Sequence, residues 1–272
     1  MNPRYSFIEH LFESVLLSRY APGVMVSMFK VLSGYFDASG HPDQHKVMTV
    51  GGFVSRADKW KRFDRSWGAI LAEQGISAFH MTDYVSSQGE FAKFKGKSAL
   101  RKEFQTKLSD CIATNINKAI RFTLILPDYN LVNQKFRLRE SAGSPYSLCA
   151  FMCLQEAVQW ARRKKAEKNF ICYFEDGDKD KGEFKRRGEK TLPPPGLQFL
   201  GKDKIRPFEA ADFMAWKAKS NAEVWLKESY HPDQRHQMYK SMGSLHHCPT
   251  DAKILTLDGL LGICLYLGVE RR

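Results

Sequence analysis

Apolar positions along the chain switch between two periods, and the switches divide it into elements. Residues 1–28 hold one short periodic patch, Phe7, Leu11, Phe12, Val15 and Leu16, which predicts an N-terminal helical appendage before the breaker Pro22-Gly23. From Phe29 to Phe36 the pattern is β-like, stops at Asp37-Ala38-Ser39-Gly40, and resumes over Val47–Val54, a hairpin signal. Trp60, Phe63, Trp67, Ile70 and Leu71 then recur at three- and four-residue spacing, predicting a helix over 56–74 that Gly75 ends.

A second helix is expected over 98–117, with Leu100, Phe104, Leu108, Cys111 and Ile112 on one face, followed by a buried strand over Ala119–Leu126 that Pro127 stops. Residues 128–143 are polar and read as a loop. Ser144-Pro145 opens a helix from Tyr146 to about Lys165. Phe170–Phe174 is a run of five nonpolar residues, as in a strand buried on both faces. Gly196–Leu200 reads as a final strand and Phe208–Ser229 as a helix; the rest of the chain looks helical.

The expectation is an α/β fold: a mixed five-stranded sheet flanked by helices, occupying about residues 29–230 with an insertion near 75–118. The appendage over 1–28 precedes it, and a C-terminal helical tail over 231–272 packs on it. The 272 residues suit one large domain, since a single core stops growing near about 250–300 residues.

Charge adds the first functional hint. Forty-two Lys and Arg against 30 Asp and Glu give a formal net charge of +12, which favours an anionic partner, nucleic acid before a membrane surface. Six cysteines are too sparse for a disulfide scaffold and no secretory signal is visible, so a cytoplasmic setting is expected. The longest apolar run, Ile254 to Val269, carries Asp258 and falls short of the roughly 20 residues a membrane span needs. No Walker loop, nucleophile elbow or dinucleotide fingerprint is present. His246-His247-Cys248 lacks a second pair at zinc-finger spacing, and Cys149 and Cys153 sit in an apolar helix where buried thiols are ordinary.

Acidic residues supply the candidate chemistry. Asp37 closes the first strand, Glu175 and Asp176 close a buried one, and Glu209 and Asp212 lie three apart on one face of a late helix. Carboxylates converging from separate elements repel unless a cation neutralises them, and hard oxygen ligands favour Mg²⁺ or Mn²⁺. Two such ions can clamp the attacking and leaving oxygens of a phosphodiester. Asp212 lies within Ala210-Ala211-Asp212-Phe213-Met214-Ala215-Trp216, where a lone acid would be nearly buried. Asp37, beside Ser39 and Gly40, also fits a plain turn, and Asp178 and Asp180 also fit solvated loop charges. Glu175 and Asp176 cannot both point one way from a regular strand, so the choice between them stays open.

Five strings in this order, Tyr35-Phe36-Asp37-Ala38-Ser39-Gly40, Gly51-Gly52-Phe53-Val54, Phe79-His80-Met81-Thr82-Asp83, the acidic turn at 174–178 and the stretch from Glu209 to Trp216, resemble the bacterial domain-of-unknown-function family 3800. The resemblance covers roughly residues 29–220. It implies a fold of the RNase H-like superfamily of nucleases and resolvases, whose sheet begins with three antiparallel strands. It also implies a site of one Asp on the first strand, an acid at the end of the fourth and another on a late helix: Asp37, Glu175 or Asp176, and Asp212. One position departs from the pattern, for Ala38 stands where members commonly carry a further acid.

The expected function is therefore a metal-dependent nuclease or related phosphodiester hydrolase. Asp37, Glu175, Asp176 and Asp212 would hold Mg²⁺ or Mn²⁺, with His80 as auxiliary base and Asp83, Asp178 and Glu209 as secondary candidates. His80 and Asp83 equally suit a capped helix start. Arg162, Arg163, Lys164 and Lys165, together with Lys185, Arg186 and Arg187, would grip the nucleic-acid backbone without reading its sequence. The first of these clusters also suits the negative end of a helix dipole. The alternative is a module that keeps the fold and binds nucleic acid without turnover, Ala38 being its symptom; a third is a basic protein-interaction partner with neither activity.

Overall fold

The computed structural model describes residues 31–41, 43, 45–201, 205–227 and 248–269. The expected helix within 1–28 and the whole of the segment 228–247, which includes His246-His247, lie outside them.

Six strands form one mixed sheet. The strands are β1 (Leu32–Ser39), β2 (Val47–Arg56), β3 (Lys118–Ile125), β4 (Phe170–Glu175), β5 (Leu197–Leu200) and β6 (Thr250–Leu255), in the spatial order β5-β4-β1-β2-β3-β6. β1, β2 and β3 are antiparallel neighbours, while β4 lies parallel to β1, β5 to β4 and β6 to β3.

Helices cover both faces. Against one lie α1 (Ala57–Glu73), α2 (Met81–Ser86), α3 (Ser98–Asn115) and α8 (Arg206–Lys227). Against the other lie α4 (Leu126–Phe136), α5 (Leu138–Ala142), α6 (Pro145–Arg163), α7 (Lys181–Thr191) and α9 (Leu257–Tyr266). Pleating sorts β1 between the two cores: Leu32 and Phe36 join the α6 side, Val31 and Tyr35 the α8 side.

Most boundaries follow the apolar pattern. The strands and helices expected from hydrophobic spacing over 47–54, 56–74, 98–117, 119–126, 146–165, 170–174 and 208–229 appear within a few residues of those limits. Three readings need correction. Residues 128–143 are not a loop: Leu126, Tyr129 and Val132 bury one side of α4, Leu138 and Ala142 one side of α5, and intervening charges face solvent. Those charges dilute the helical period. Asp37 lies inside β1, which runs on to Ser39 because Ala38 and Ser39 still pair with Val50 and Thr49. A sixth strand precedes the final helix, because Thr250–Leu255 pairs with β3 and Asp251 meets Lys118 at 2.6 Å.

Helix α8 seats unusually close to the sheet. A Cβ at Gly51 would lie 3.2 Å from Met214 Cγ and 3.6 Å from Ala215 Cα. Phe208 meets Tyr35 edge-on at 5.7 Å, and Lys219 Cδ would lie 3.1 Å from a Cβ at Gly40. Positions 208 to 219 therefore track 35 to 40, so α8 runs the length of β1. At its start, Arg206 forms a buried ion pair with Asp64 of α1 at 3.0 Å. Gly52 meets β1 even more tightly, since a Cβ there would fall 2.0 Å from the Tyr35 carbonyl oxygen.

That clash is with backbone and cannot be relieved by a rotamer change. Gly52→Ala is expected to lower stability by about 3 kcal/mol, the upper range for overpacking a core, read as a fall in the urea midpoint with an unchanged m-value.

Candidate acidic pocket

The carboxyl ends of β1 and β4 place two acids side by side. Tyr35 and Tyr173 are stacked neighbours across these parallel strands, with centroids 5.1 Å apart and planes at 12°. Two residues on, the pleat sets Asp37 and Glu175 on the face of Tyr35 and Tyr173, on strands about 5 Å apart at the end of the sheet. The chain beyond β4 turns back through Gly177 and brings Asp178 to the same opening. A pocket of about 330 Å³ opens at this end of the sheet toward the α6 side, bordered by Asp37, Glu175, Asp178, His41 and Tyr146, with Phe36, Met48 and Phe174 among its apolar lining.

Local backbone N–H groups fix each carboxylate. Asp37 Oδ1 accepts from Ala38 N–H at 2.7 Å, Glu175 Oε2 from Gly177 N–H at 2.7 Å, and Asp178 Oδ1 from Asp180 N–H at 3.0 Å. Asp37 is only 5% exposed. Burial raises the Asp178 carboxyl above its ordinary pKa; the Asp180 N–H bond and His41 oppose the rise, and the charges of Asp180 and Glu175 add to it. Tyr146, in the first turn of α6, is pushed well above the usual phenol value by burial and then by Asp178, Asp37 and Glu175. It stays a neutral donor.

Asp176 is not part of this pocket. Its carboxylate faces solvent and pairs with Lys181, because adjacent residues leave the end of β4 in opposite directions. Of the two, Glu175 lines the pocket.

Asp212 and His80 form a second group. One turn beyond Phe208, Asp212 lies on the stretch of α8 that overlies Asp37's part of β1, yet it is not among the pocket-lining residues named above. Its Oδ2 accepts from Met81 N–H at 2.9 Å, tying the start of α2 to α8, and His80 Nδ1 stands 4.0 Å from the same oxygen. The insertion thus sets His80 beside Asp212. Asp83 follows in the first turn of α2, partly exposed. Glu209 points elsewhere: it is buried between α8 and α1, accepting from Trp67 Nε1 at 2.7 Å.

The basic clusters separate. Arg162 and Arg163 end a helix of 19 residues whose first turn holds Tyr146, about 25 Å along its axis from that residue, and Lys164 and Lys165 follow it. Arg162 pairs with Glu167 at 2.7 Å. Arg187 is half-buried on the Phe151 ring, 4.8 Å from its centroid, and is no surface grip. Lys185 and Arg186 are exposed on α7, close after the acidic turn. Tyr146 and His41 were not singled out by sequence reasoning: Tyr146 resembled any aromatic in an apolar helix start, and His41 followed a turn.

Among the described residues, no group of three or more His, Cys, Asp and Glu side chains is drawn together tightly enough to hold a metal ion. The three pocket acids share walls, not a closed ligand shell. Against family models, curated proteins and solved structures, the chain finds no match. Among the described residues, no helix is long and apolar enough to cross a membrane.

Two outcomes follow from these contacts. Asp178's folded-state pKa exceeds its unfolded one, so the folded state holds the proton longer. Stability is then greatest below the ordinary carboxyl value of about 4 and declines as pH rises through the raised value. Asp178→Asn is expected to remove this slope, measured as urea stability against pH. Asp212→Ala is expected to cost about 1–2 kcal/mol through loss of the bond to the first turn of α2, and to speed amide exchange at Met81.

Proposed function

We propose that the chain is a divalent-metal-dependent phosphodiester hydrolase acting on nucleic acid. The observation that carries this reading is the adjacency of Asp37 and Glu175 on parallel strands, with Asp178 and a neutral phenol around the same pocket. Three carboxylates around one opening call for a cation, and their oxygens are hard donors suited to Mg²⁺ or Mn²⁺. The lack of a tight ligand shell is compatible with Mg²⁺, which commonly keeps several waters and uses one or two protein carboxylates.

The sheet supports the same reading. Three antiparallel strands followed by two that extend the other side of β1 in parallel is an order consistent with the RNase H-like fold that the family resemblance implies. A bound divalent ion would supply charge neutralisation at the phosphoryl oxygens. Asp37 and Glu175, each anchored by a neighbouring N–H, would hold it in a fixed place. His80, oriented through Nδ1 toward Asp212, would offer Nε2 to a substrate proton. Lys185 and Arg186 would contact phosphates flanking the pocket, their charge adding to the formal +12 of the chain.

One observation favours the non-catalytic alternative, a module that binds nucleic acid without turnover. Asp212, expected as a ligand, is not among the residues that line the pocket of Asp37 and Glu175. The two readings part on metal-dependent turnover. The test incubates full-length protein with fluorescent single- and double-stranded DNA and RNA in Mg²⁺, Mn²⁺ or EDTA. Asp37→Asn and Glu175→Gln are each expected to slow cleavage by about a hundredfold or more, equivalent to about 3 kcal/mol, with folding kept. Asp176→Asn is expected to cleave as the wild type does. Binding without turnover in any metal would decide for the module.

A further inference from the structure

Tyr146 lines the acidic pocket. The residue is 3% exposed and its ring is held edge-on against Phe184, 6.0 Å between centroids at 88°. Among the described residues, its hydroxyl has no hydrogen-bond partner. Buried tyrosines ordinarily find one. Tyr84 donates to the Arg101 carbonyl at 2.8 Å and Tyr129 to the Gly143 carbonyl at 2.6 Å.

The pocket acids do not take up this donor, although all three lie near enough for their charges to act on it. Each is instead turned by a backbone N–H of its own: Ala38 for Asp37, Gly177 for Glu175, Asp180 for Asp178. Ionised carboxylates only accept hydrogen bonds, so none of them can satisfy an oxygen of an anionic ligand. A phenol can. At neutral pH it carries its proton, and its position on a capped helix start is rigid: Ser144 accepts from Ser147 N–H at 3.2 Å and Pro145 sets the first turn.

We propose that Tyr146 is a ligand-contacting donor, its O–H bonding a non-bridging oxygen of a phosphoryl group that enters the pocket together with a divalent cation. This rests on the metal-dependent reading above, because a phosphoryl group among three carboxylates would otherwise be repelled. Cation and phenol divide the anion between them: the acids reach it through the metal, and Tyr146 reaches it directly.

Tyr146→Phe keeps the ring and its contact with Phe184 and removes only the donor. The experiment titrates Mn²⁺ into the full-length wild type and Y146F, followed by electron paramagnetic resonance, and then titrates inorganic phosphate into each Mn²⁺-loaded protein. The expected result is equal Mn²⁺ affinity, an unchanged thermal midpoint, and phosphate binding about tenfold weaker in Y146F, as for a lost hydrogen bond to a charged group. Equal phosphate affinity in the two proteins overturns the contact, as does Mn²⁺ uptake by the wild type with no phosphate response; in both cases the metal reading stands. A wild type that takes up no Mn²⁺ overturns the metal reading and this contact with it.

Discussion

Helix α8 rests on β1 and β2 at a separation that only glycine and alanine permit. Gly51 leaves room for Met214 and the Ala215 backbone, and Ala210, Ala211 and Ala215 keep the helix slim where it lies along the strands. Larger side chains at these positions would lift α8 from the sheet, since interiors pack at crystal-like density with no slack to absorb them. With α8 in place, the first core closes: Phe208 seals Tyr35, Arg206 pairs with Asp64 beneath α1, and Glu209 anchors the Trp67 indole.

From that contact follows the arrangement of polar groups. A helix seated so low brings Asp212 level with the part of β1 that carries Asp37, and makes it an anchor for the insertion that bears His80. On the other side of β1, parallel pairing with β4 sets Glu175 beside Asp37, and the tight turn after β4 folds Asp178 over the opening. Acidity is thereby concentrated at one end of the sheet. The strongest run of positive charge, Arg162 to Lys165, stands at the other end of α6, while Lys185 and Arg186 remain near the pocket.

Legibility in the sequence varied with how directly each feature depends on local pattern. Helix α1 was plain because Trp60, Phe63 and Trp67 mark one face without interruption. α4 and α5 were hidden because their buried residues are few and their exposed ones charged, so the same physics left a fainter trace. β6 was obscure for a related reason: Thr250 to Leu255 lies at an edge, mostly half-exposed, and becomes a strand by pairing with β3. Among the acids, Asp212 stood out as a charge in apolar text, whereas Asp37 also fitted a plain turn. Asp176 looked equal to its neighbour Glu175, since the direction each side chain takes is settled only where β4 ends and the turn begins.

The sequence by itself determined the periodic elements, the two-sided burial of the sheet and the set of carboxylates available for chemistry, because hydrophobic spacing and residue type act over a few positions. Tertiary structure alone decided which of those acids meet. Asp37, Glu175 and Asp178 come together across more than a hundred residues of chain through strand pairing and one turn, and Tyr146 joins them only because α6 begins at that end of the sheet. Glu209 and Arg187, no less polar in the text, were drawn into packing contacts with Trp67 and Phe151 instead. The direction of a side chain depends on what is packed against it, and that partner is set by the fold.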